Sequence, residues 1–468
     1  MKKLLFFSST LIFFISNVFS TLYYEKMFLI STDFQFPVVK IEAEKDKSPI
    51  MLIFGGIHGN EPGAYLTAEK LTELRLKKGT VIIVPRVNFY SIMKNVRGYF
   101  GDMNRKFKKG EYKKRDPDTR IVKILKRLMA QADIFINLHD AWGFHRKYHK
   151  NFGQCIIVDA QKVNSRKLGR VIDLEKIGKE VVSRVNKKIK NPDHLFAFWN
   201  TKTEKRHKEA NLNQMKFTAT FYAYKIYKIP AFGVETSKNI KSDELKVKYH
   251  LLVLNELFKI FGIIPENTIK PTLKKPEFYY SIISTLKGED YLVPENSVLW
   301  IKRGETIIIK SVEGNRKFGW AADIIGWGGV NDRNKKFTPK NNAKIIIKHD
   351  YKKITSFKIK LAERIPKALI SINGKDKFVF ANEIINLKKD DKLILKKATL
   401  NMKNLVLDFK GFAAKNKINR GDDRNTEILY SELQKEFSLK GKGELYKVEA
   451  KLTRVPQFYF IIKYEEER

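Results

Sequence analysis

The sequence predicts an α/β domain with a largely parallel sheet, followed by two small all-β modules. Three observations carry this reading. Between residues 50 and 265, short apolar runs ending in glycine or proline alternate with amphipathic stretches of helical spacing, the pattern of strands and helices stacked in layers. Residues 265–276 (PENTIKPTLKKP) are rich in proline and lysine and lack periodicity, so they read as a linker. Beyond them the segments are short strand-like runs bounded by turn residues such as Asn373-Gly374, as in small sandwiches and barrels. The 468 residues suit two or three domains, and a hydrophobic fraction of 43% is enough for a sizeable core.

Met1-Lys2-Lys3 opens the chain with positive charge, and residues 4–19 carry no charge and are almost wholly apolar. Ser20 follows at the place a signal peptidase reads, so residues 1–20 are expected to be a secretory signal peptide. An uncleaved anchor is the alternative, although the run is short for a membrane span. A single cysteine, Cys155, excludes an intramolecular disulfide. An exported chain without disulfides fits a bacterial periplasm.

Within the first domain (21–264), residues 49–55 (PIMLIFG) and 80–85 (TVIIVP) read as buried strands, and 62–74 as a helix. Residues 120–132 form an amphipathic helix leading into a strand at 133–138 (DIFINL). Residues 154–159 and 230–234 are strand-like, and 174–189 and 243–260 helical. After the linker, the strand runs divide into a small β domain (277–352) and a β-sandwich-like domain (353–468).

Lysine and arginine number 91 against 51 acidic residues, a formal charge of +40. Such a field attracts anionic polymers such as cell wall. The abundance of lysine, asparagine, isoleucine and phenylalanine together also fits AT-rich coding. The basic residues are spread along the chain without a nucleic-acid motif, so nucleic acid is not expected as a partner.

The stretch Gly55-Gly56-Ile57-His58-Gly59-Asn60-Glu61-Pro62 brings a strand into a glycine turn and then a helix that starts on proline. His58 and Glu61, three residues apart on that turn, are suitable ligands for zinc. His139, at the end of the 133–138 strand, completes a His₂Glu set that leaves a fourth position open. Glu235 ends another apolar strand, where burial raises a carboxyl toward the pKa a general base needs. Arg97 and Arg105 flank a glycine-containing loop with Asn104 beside the second arginine. Arginine forks bind a terminal carboxylate or polarise a carbonyl oxygen. Trp142 is a candidate pocket residue, and His145 and His149 read as loop residues rather than ligands.

These motifs, in this order, resemble the carboxypeptidase A-like zinc metallopeptidases over residues 50 to 240. The resemblance implies a mixed sheet flanked by helices, zinc on His58, Glu61 and His139, and Glu235 as general base. It also implies Arg97 as the carbonyl-polarising group and Asn104 with Arg105 as the terminal-carboxylate clamp. The mobile tyrosine of digestive members has no clear counterpart; Tyr222 and Tyr224 are the nearest. The wider layout is similar to the peptidoglycan DL-carboxypeptidases that set cell shape in Campylobacter and Helicobacter. That implies muropeptide substrates, with meso-diaminopimelate released from a tripeptide. The alternatives are a deacylase of N-acyl amino acids and a non-catalytic wall-binding protein whose β modules bind glycan or protein.

Overall fold

The computed structural model describes residues 21–108, 110, 116–204, 213–400, 403–413 and 421–465. The expected signal peptide lies outside them. The chain divides into two compact units, formed mainly by Phe34–Leu273 and mainly by Lys274–Arg468.

The first unit is built on one sheet. Its strands are β1 (Thr21–Phe28), β2 (Phe36–Ala43), β3 (Asp46–Phe54), β4 (Leu76–Val84), β5 (Ile134–Ala141) and β6 (Cys155–Val158). A small separate hairpin, β7 (Lys162–Ser165) and β8 (Arg170–Asp173), precedes β9 (Ala197–Asn200), β10 (Ala231–Ser237) and the short β11 (Ile264–Pro265). The sheet order is β1-β2-β4-β3-β5-β10-β6-β9, with β11 pairing to β4. Four adjacent strands at the centre, β4-β3-β5-β10, run parallel. β2 pairs antiparallel to β4, and β6 antiparallel to β10, so the sheet is mixed.

The central strands are apolar on both faces because both faces are covered. Leu52, Phe54 and Phe135 share a core with Ile121, Val122 and Leu125 of helix α3 (Pro117–Met129). The alternating residues Met51, Ile53, Ile134 and Ile136 are equally buried. Helix α1 (Pro62–Leu71) packs against the closing helix Asp243–Phe261. The latter is capped by Ser242, which accepts from Leu245 N, and ended by Gly262 at φ 76°. The remaining helices include α2 (Phe89–Met93) and α4 (Leu174–Asn186).

The second unit is all β. One four-stranded sheet (Phe278–Thr285, Asp290–Pro294, Ile307–Gly314, Lys336–Phe337) and another (Val298–Lys302, Trp320–Ile324, Ala343–His349, Lys352–Ala362) share a core. That core includes Ile283, Leu299, Ile309, Ile347 and Phe357. A larger sheet from Lys367–Ile372 through Val455–Tyr464 encloses its own core around Leu395, Leu407, Phe409, Phe458 and Phe460. The strand Lys352–Ala362 pairs with Ala343–His349, so the first module's sheet runs on to Ala362. A boundary at 352 cuts through a hairpin. Strand-like spacing locates strands, but it does not say which sheet each one joins.

Candidate metal and substrate site

His58 follows β3, His139 lies on β5, Glu235 lies on β10, and residues 94–105 follow β4. The site is therefore assembled at the C-terminal ends of four adjacent parallel strands, where open α/β sheets bind ligands. Parallel register sets Glu235 beside His139 and Thr236 beside Asp140.

The turn after β3 depends on Gly56, which sits at φ 75°, a region costly to any residue with a Cβ. Glu61 then takes the N-cap position of α1 without capping it, and Pro62 occupies the first turn. The open donor is met from β5 instead, since Gly63 N donates to Asp140 Oδ2 at 2.7 Å. A Cβ on Gly63 would lie 2.5 Å from Asp140 Oδ1, so only glycine permits this approach. Thr236 Oγ1 donates to Asp140 Oδ1 at 2.6 Å, and His250 Nε2 lies 3.3 Å from the same atom. Asp140 thus ties α1, β5, β10 and the closing helix together directly beneath the ligands.

With its cap satisfied elsewhere, the Glu61 carboxylate faces the site. Its Oε1 lies 2.9 Å from His58 Nδ1 and its Oε2 lies 2.9 Å from His139 Nδ1. One donor atom from each residue falls within 4.8 Å of the others, and all three side chains are buried. His58 Nε2 lies 2.9 Å from Asp102 Oδ1. Facing carboxylates on both nitrogens, His58 satisfies both only as a cation. A metal ion shared by His58 and Glu61 would remove that demand and leave an imidazole N–H for Asp102, the usual support for a ligand histidine. Two imidazoles, one carboxylate and a buried setting fit zinc.

Asp102 is the hub of the loop after β4. It accepts from Asn104 N at 2.9 Å through Oδ1, and from Arg97 Nε and Nη2 at 3.2 and 3.0 Å through Oδ2. Arg97 also donates from Nη1 to Glu61 Oε1 at 3.3 Å, and its side chain is half exposed. Asn104 Nδ2 lies 3.4 Å from His139 Nε2, while its Oδ1 accepts from Ala219 N at 3.0 Å. Arg105 Nη1 donates to the Asn104 carbonyl at 3.1 Å. Asn104 and Arg105 are therefore attached to His58 and His139 through Asp102 and Asn104.

Burial opposes ionisation of Asp102, but its bond to His58 and the charges of His58 and Arg97 hold its carboxyl well below the usual range. Glu235 moves the other way. Burial, then the negative charge of Glu61, push its carboxyl well above the ordinary value, with Arg97 opposing. Burial also opposes ionisation of Glu61, but the charges of His58 and His139 hold its carboxyl well below the ordinary value; Glu61 and Glu235 thus differ in proton affinity within one site, an arrangement suited to a base beside a metal ligand.

His58, Glu61, His139, Glu235, Arg97, Asn104 and Arg105 are brought to one end of the sheet. Trp142, just past β5, is 68% exposed and stands outside the buried cluster. His145 is held by the Asn151 carbonyl, 2.7 Å from its Nδ1, a loop role. Tyr222 packs against the sheet core with Lys126 over its ring. Two residues without a motif of their own also join the site. Asp102 stands two positions before Asn104, and Lys238, three positions after Glu235, donates to Asn60 Oδ1 at 3.1 Å with its Nζ 3.6 Å from Glu61 Oε1. Their only signal in the sequence was proximity to a residue already chosen.

Comparison with known proteins gives the same picture of the fold. A structure of a tripeptide-bound cell shape determinant protein from Helicobacter pylori is similar, with TM-score 0.57 and 21% identity over 95% of this chain and all of that one. A product-bound form of that protein aligns with TM-score 0.58 and 21% identity over 92% of this chain and 99% of that one. Its mDAP-bound form, described as a D,L-carboxypeptidase, aligns with TM-score 0.57 and 22% identity over 90% and 99%. No curated protein sequence matches. Residues 14–275 match the catalytic part of the carboxypeptidases controlling helical cell shape. That match spans more than half of the 468 residues, and the chain belongs to this family of metallocarboxypeptidases.

Proposed function

We propose that this enzyme trims peptidoglycan stem peptides, hydrolysing the bond between γ-D-glutamate and a terminal meso-diaminopimelate so that a tripeptide becomes a dipeptide. The observation that carries the reading is the attachment of Asn104 and Arg105 to the histidine pair through Asp102 and the 3.4 Å approach of Asn104 to His139. A clamp fixed that close to the metal ligands recognises a carboxylate adjoining the scissile bond, the requirement of an exopeptidase. The related Helicobacter protein was determined with a tripeptide, a product and mDAP bound, and its fold is shared here.

In this reading His58, Glu61 and His139 would hold zinc, which would supply Lewis acidity at the scissile carbonyl and to the attacking water. Glu235 takes a proton from that water on its carboxylate and passes it to the departing amine nitrogen. Arg97 turns its guanidinium toward the carbonyl oxygen as negative charge develops there. Asn104 and Arg105 hold the terminal carboxylate and so fix which bond meets the base. Export by residues 1–20 places the enzyme in the periplasm with its substrate. Among the described residues no helix is long and apolar enough to cross a membrane. Residues 21–264 form the catalytic domain, and the β modules are available to glycan or protein partners.

The test is substrate release by zinc-loaded protein, with Glu235→Gln as control. Wild type is expected to free meso-diaminopimelate from L-alanyl-γ-D-glutamyl-meso-diaminopimelate, and the variant to lose roughly 10²–10⁴-fold in kcat while keeping its zinc. Release of acyl groups from N-acyl amino acids, with none of the tripeptide cleaved, overturns the reading in favour of a deacylase. Wild-type turnover by the Glu235→Gln variant removes the base.

A further inference from the structure

Between Arg97 and Asp102 the chain makes one tight turn, in which Gly101 N donates to the Gly98 carbonyl at 3.3 Å and Tyr99 and Phe100 occupy the corner. The turn depends on both glycines. Gly101 sits at φ 93°, and a Cβ on Gly98 would lie 2.1 Å from the Gly101 carbonyl oxygen. Two aromatic side chains are thus displayed at the tip, Tyr99 52% and Phe100 37% exposed. None of the roles above employs them.

The turn is fixed to the metal site. Gly59 N, next to His58, donates to the Arg97 carbonyl at 3.2 Å, and the Arg97 guanidinium closes the base of the turn on Asp102. Tyr99 N donates to Ser91 Oγ at 3.0 Å, and the Phe100 carbonyl accepts from Lys106 Nζ at 2.7 Å. The Tyr90 ring supports both, with its centre 5.1 Å from that of Tyr99 and 5.2 Å from that of Phe100, and it stacks in turn on Phe34 at 5.1 Å. Tyr99 and Phe100 are 5.0 Å apart, so their exposed parts make one patch rather than two scattered apolar residues. A patch of this kind at the edge of a site marks a ligand contact.

We infer that Tyr99 and Phe100 form a saccharide-binding platform that receives the sugar ring to which the stem peptide is attached. The inference rests on the murein reading above and deepens it. In that reading Asn104 and Arg105 hold the terminal carboxylate and Arg97 meets the scissile carbonyl, so the upstream part of the substrate leaves past Arg97. Tyr99 follows Arg97 by two residues, no more than about 7 Å of chain. The γ-D-glutamyl and L-alanyl residues upstream offer one carboxylate and one methyl group. The sugar comes next, and its C–H face is the first broad apolar surface of the substrate. Aromatic rings cover such a surface, and the tyrosine hydroxyl adds a polar handle for the hydroxyls of the sugar. Because the turn is already held in place, binding orders little of the protein.

The experiment uses zinc-loaded full-length enzyme and two peptides. One is N-acetylmuramyl-L-alanyl-γ-D-glutamyl-meso-diaminopimelate, and the other is the same tripeptide with an N-acetyl group in place of the sugar. Wild type is expected to favour the first by about tenfold in kcat/KM, mainly through KM, the scale of one or two aromatic contacts. Tyr99→Ala is expected to cut that preference to about twofold or less, with zinc content and kcat on the N-acetyl tripeptide maintained. Equal use of both peptides by wild type, or equal slowing of both by the variant, overturns the platform and leaves Tyr99 a structural role. Should Tyr99→Ala fail to fold, product inhibition of wild type decides. N-acetylmuramyl-L-alanyl-D-glutamate is expected to inhibit more strongly than N-acetyl-L-alanyl-D-glutamate, and equal inhibition overturns the proposal. If wild type cleaves neither peptide, the murein reading fails by itself, and calorimetric titration with chitobiose then judges the platform. Binding that Tyr99→Ala weakens supports it, and no binding, or binding that the variant leaves unchanged, refutes it.

Discussion

Replacing Asp102 by Asn tests whether the loop after β4 serves the metal, the substrate, or both. Asp102 Oδ1 lies against His58 Nε2 and Asn104 N, and Oδ2 receives two bonds from Arg97. Asparagine keeps a neutral oxygen for His58 and turns an amide N–H₂ toward the arginine. The imidazole then loses its charged partner, and loss of such support typically costs about 10–100-fold in metal affinity, or roughly 1.4–2.7 kcal/mol. The pair with Arg97 contributes less to stability, since that side chain is 49% exposed and exposed ion pairs are worth about 0–1 kcal/mol. Its larger effect is on aim, because among the described residues the Arg97 side chain is otherwise held through Glu61 alone, at 3.3 Å. Competition with a chromophoric chelator measures the zinc Kd, and turnover at saturating zinc measures what remains of Arg97. The expected pattern is a Kd raised about 10–100-fold together with a further fall in kcat that added zinc does not restore. A zinc Kd within twofold of wild type refutes the argument that Asp102 orients His58 as a ligand.

Two further outcomes follow from the same geometry. Arg105→Ala removes a fork aimed at a terminal carboxylate, so KM for free peptides should rise about 10–100-fold; peptides ending in an amide should be affected equally little in variant and wild type, and steady-state kinetics on both forms checks this. Asp159→Asn should change stability with a defined sign. Burial raises the folded carboxyl from 3.8 to about 6, so the folded state binds the proton more tightly; that contribution is full below the unfolded value and is lost as pH rises through about 6. The variant should therefore melt above wild type at pH 8, by an equivalent of up to about 3 kcal/mol. The gap should close near pH 4, and scanning calorimetry showing a wider gap at pH 4 than at pH 8 contradicts the assignment.

The ligands were legible in the sequence because zinc chemistry restricts residue type and strand-end placement restricts position. His58 and His139 each stood at the end of an apolar run, Glu61 lay three residues beyond His58 at a helix start, and a parallel sheet brings such ends together. Asp102 and Lys238 were not legible. An acidic residue in a glycine loop and one lysine among 91 basic residues acquire meaning only when folding sets them against Glu61 and His58. Strand direction was equally hidden, because alternation and apolarity are the same for a parallel strand and for β6, which runs antiparallel to β10. The first strand is hidden in the sequence for a different reason. β1 is only partly buried along its whole length, so it lacks the run of apolar residues that marks the centre of a sheet.

The charge of the whole chain and the charge of the site support different conclusions. A formal +40 suggests a protein drawn to anionic polymer, and it has no bearing on which carboxylate is bound. At the site, Arg97 is paired with Asp102 and Glu61, and Lys238 with Glu61, so these cations are already matched by local anions. Recognition of a terminal carboxylate therefore depends on placement. Among the described residues the Arg105 guanidinium forms no ion pair, its Nη1 bonding only to the Asn104 carbonyl, because Asp102 makes its bonds to Arg97 and His58, and Lys238 is engaged by Asn60 and Glu61. Charges spread over the surface are screened within about 8 Å at physiological salt, whereas contacts inside the site are not. Selectivity should thus persist in salt that weakens attraction to the wall, and the long-range field brings the enzyme to its polymer without choosing the bond.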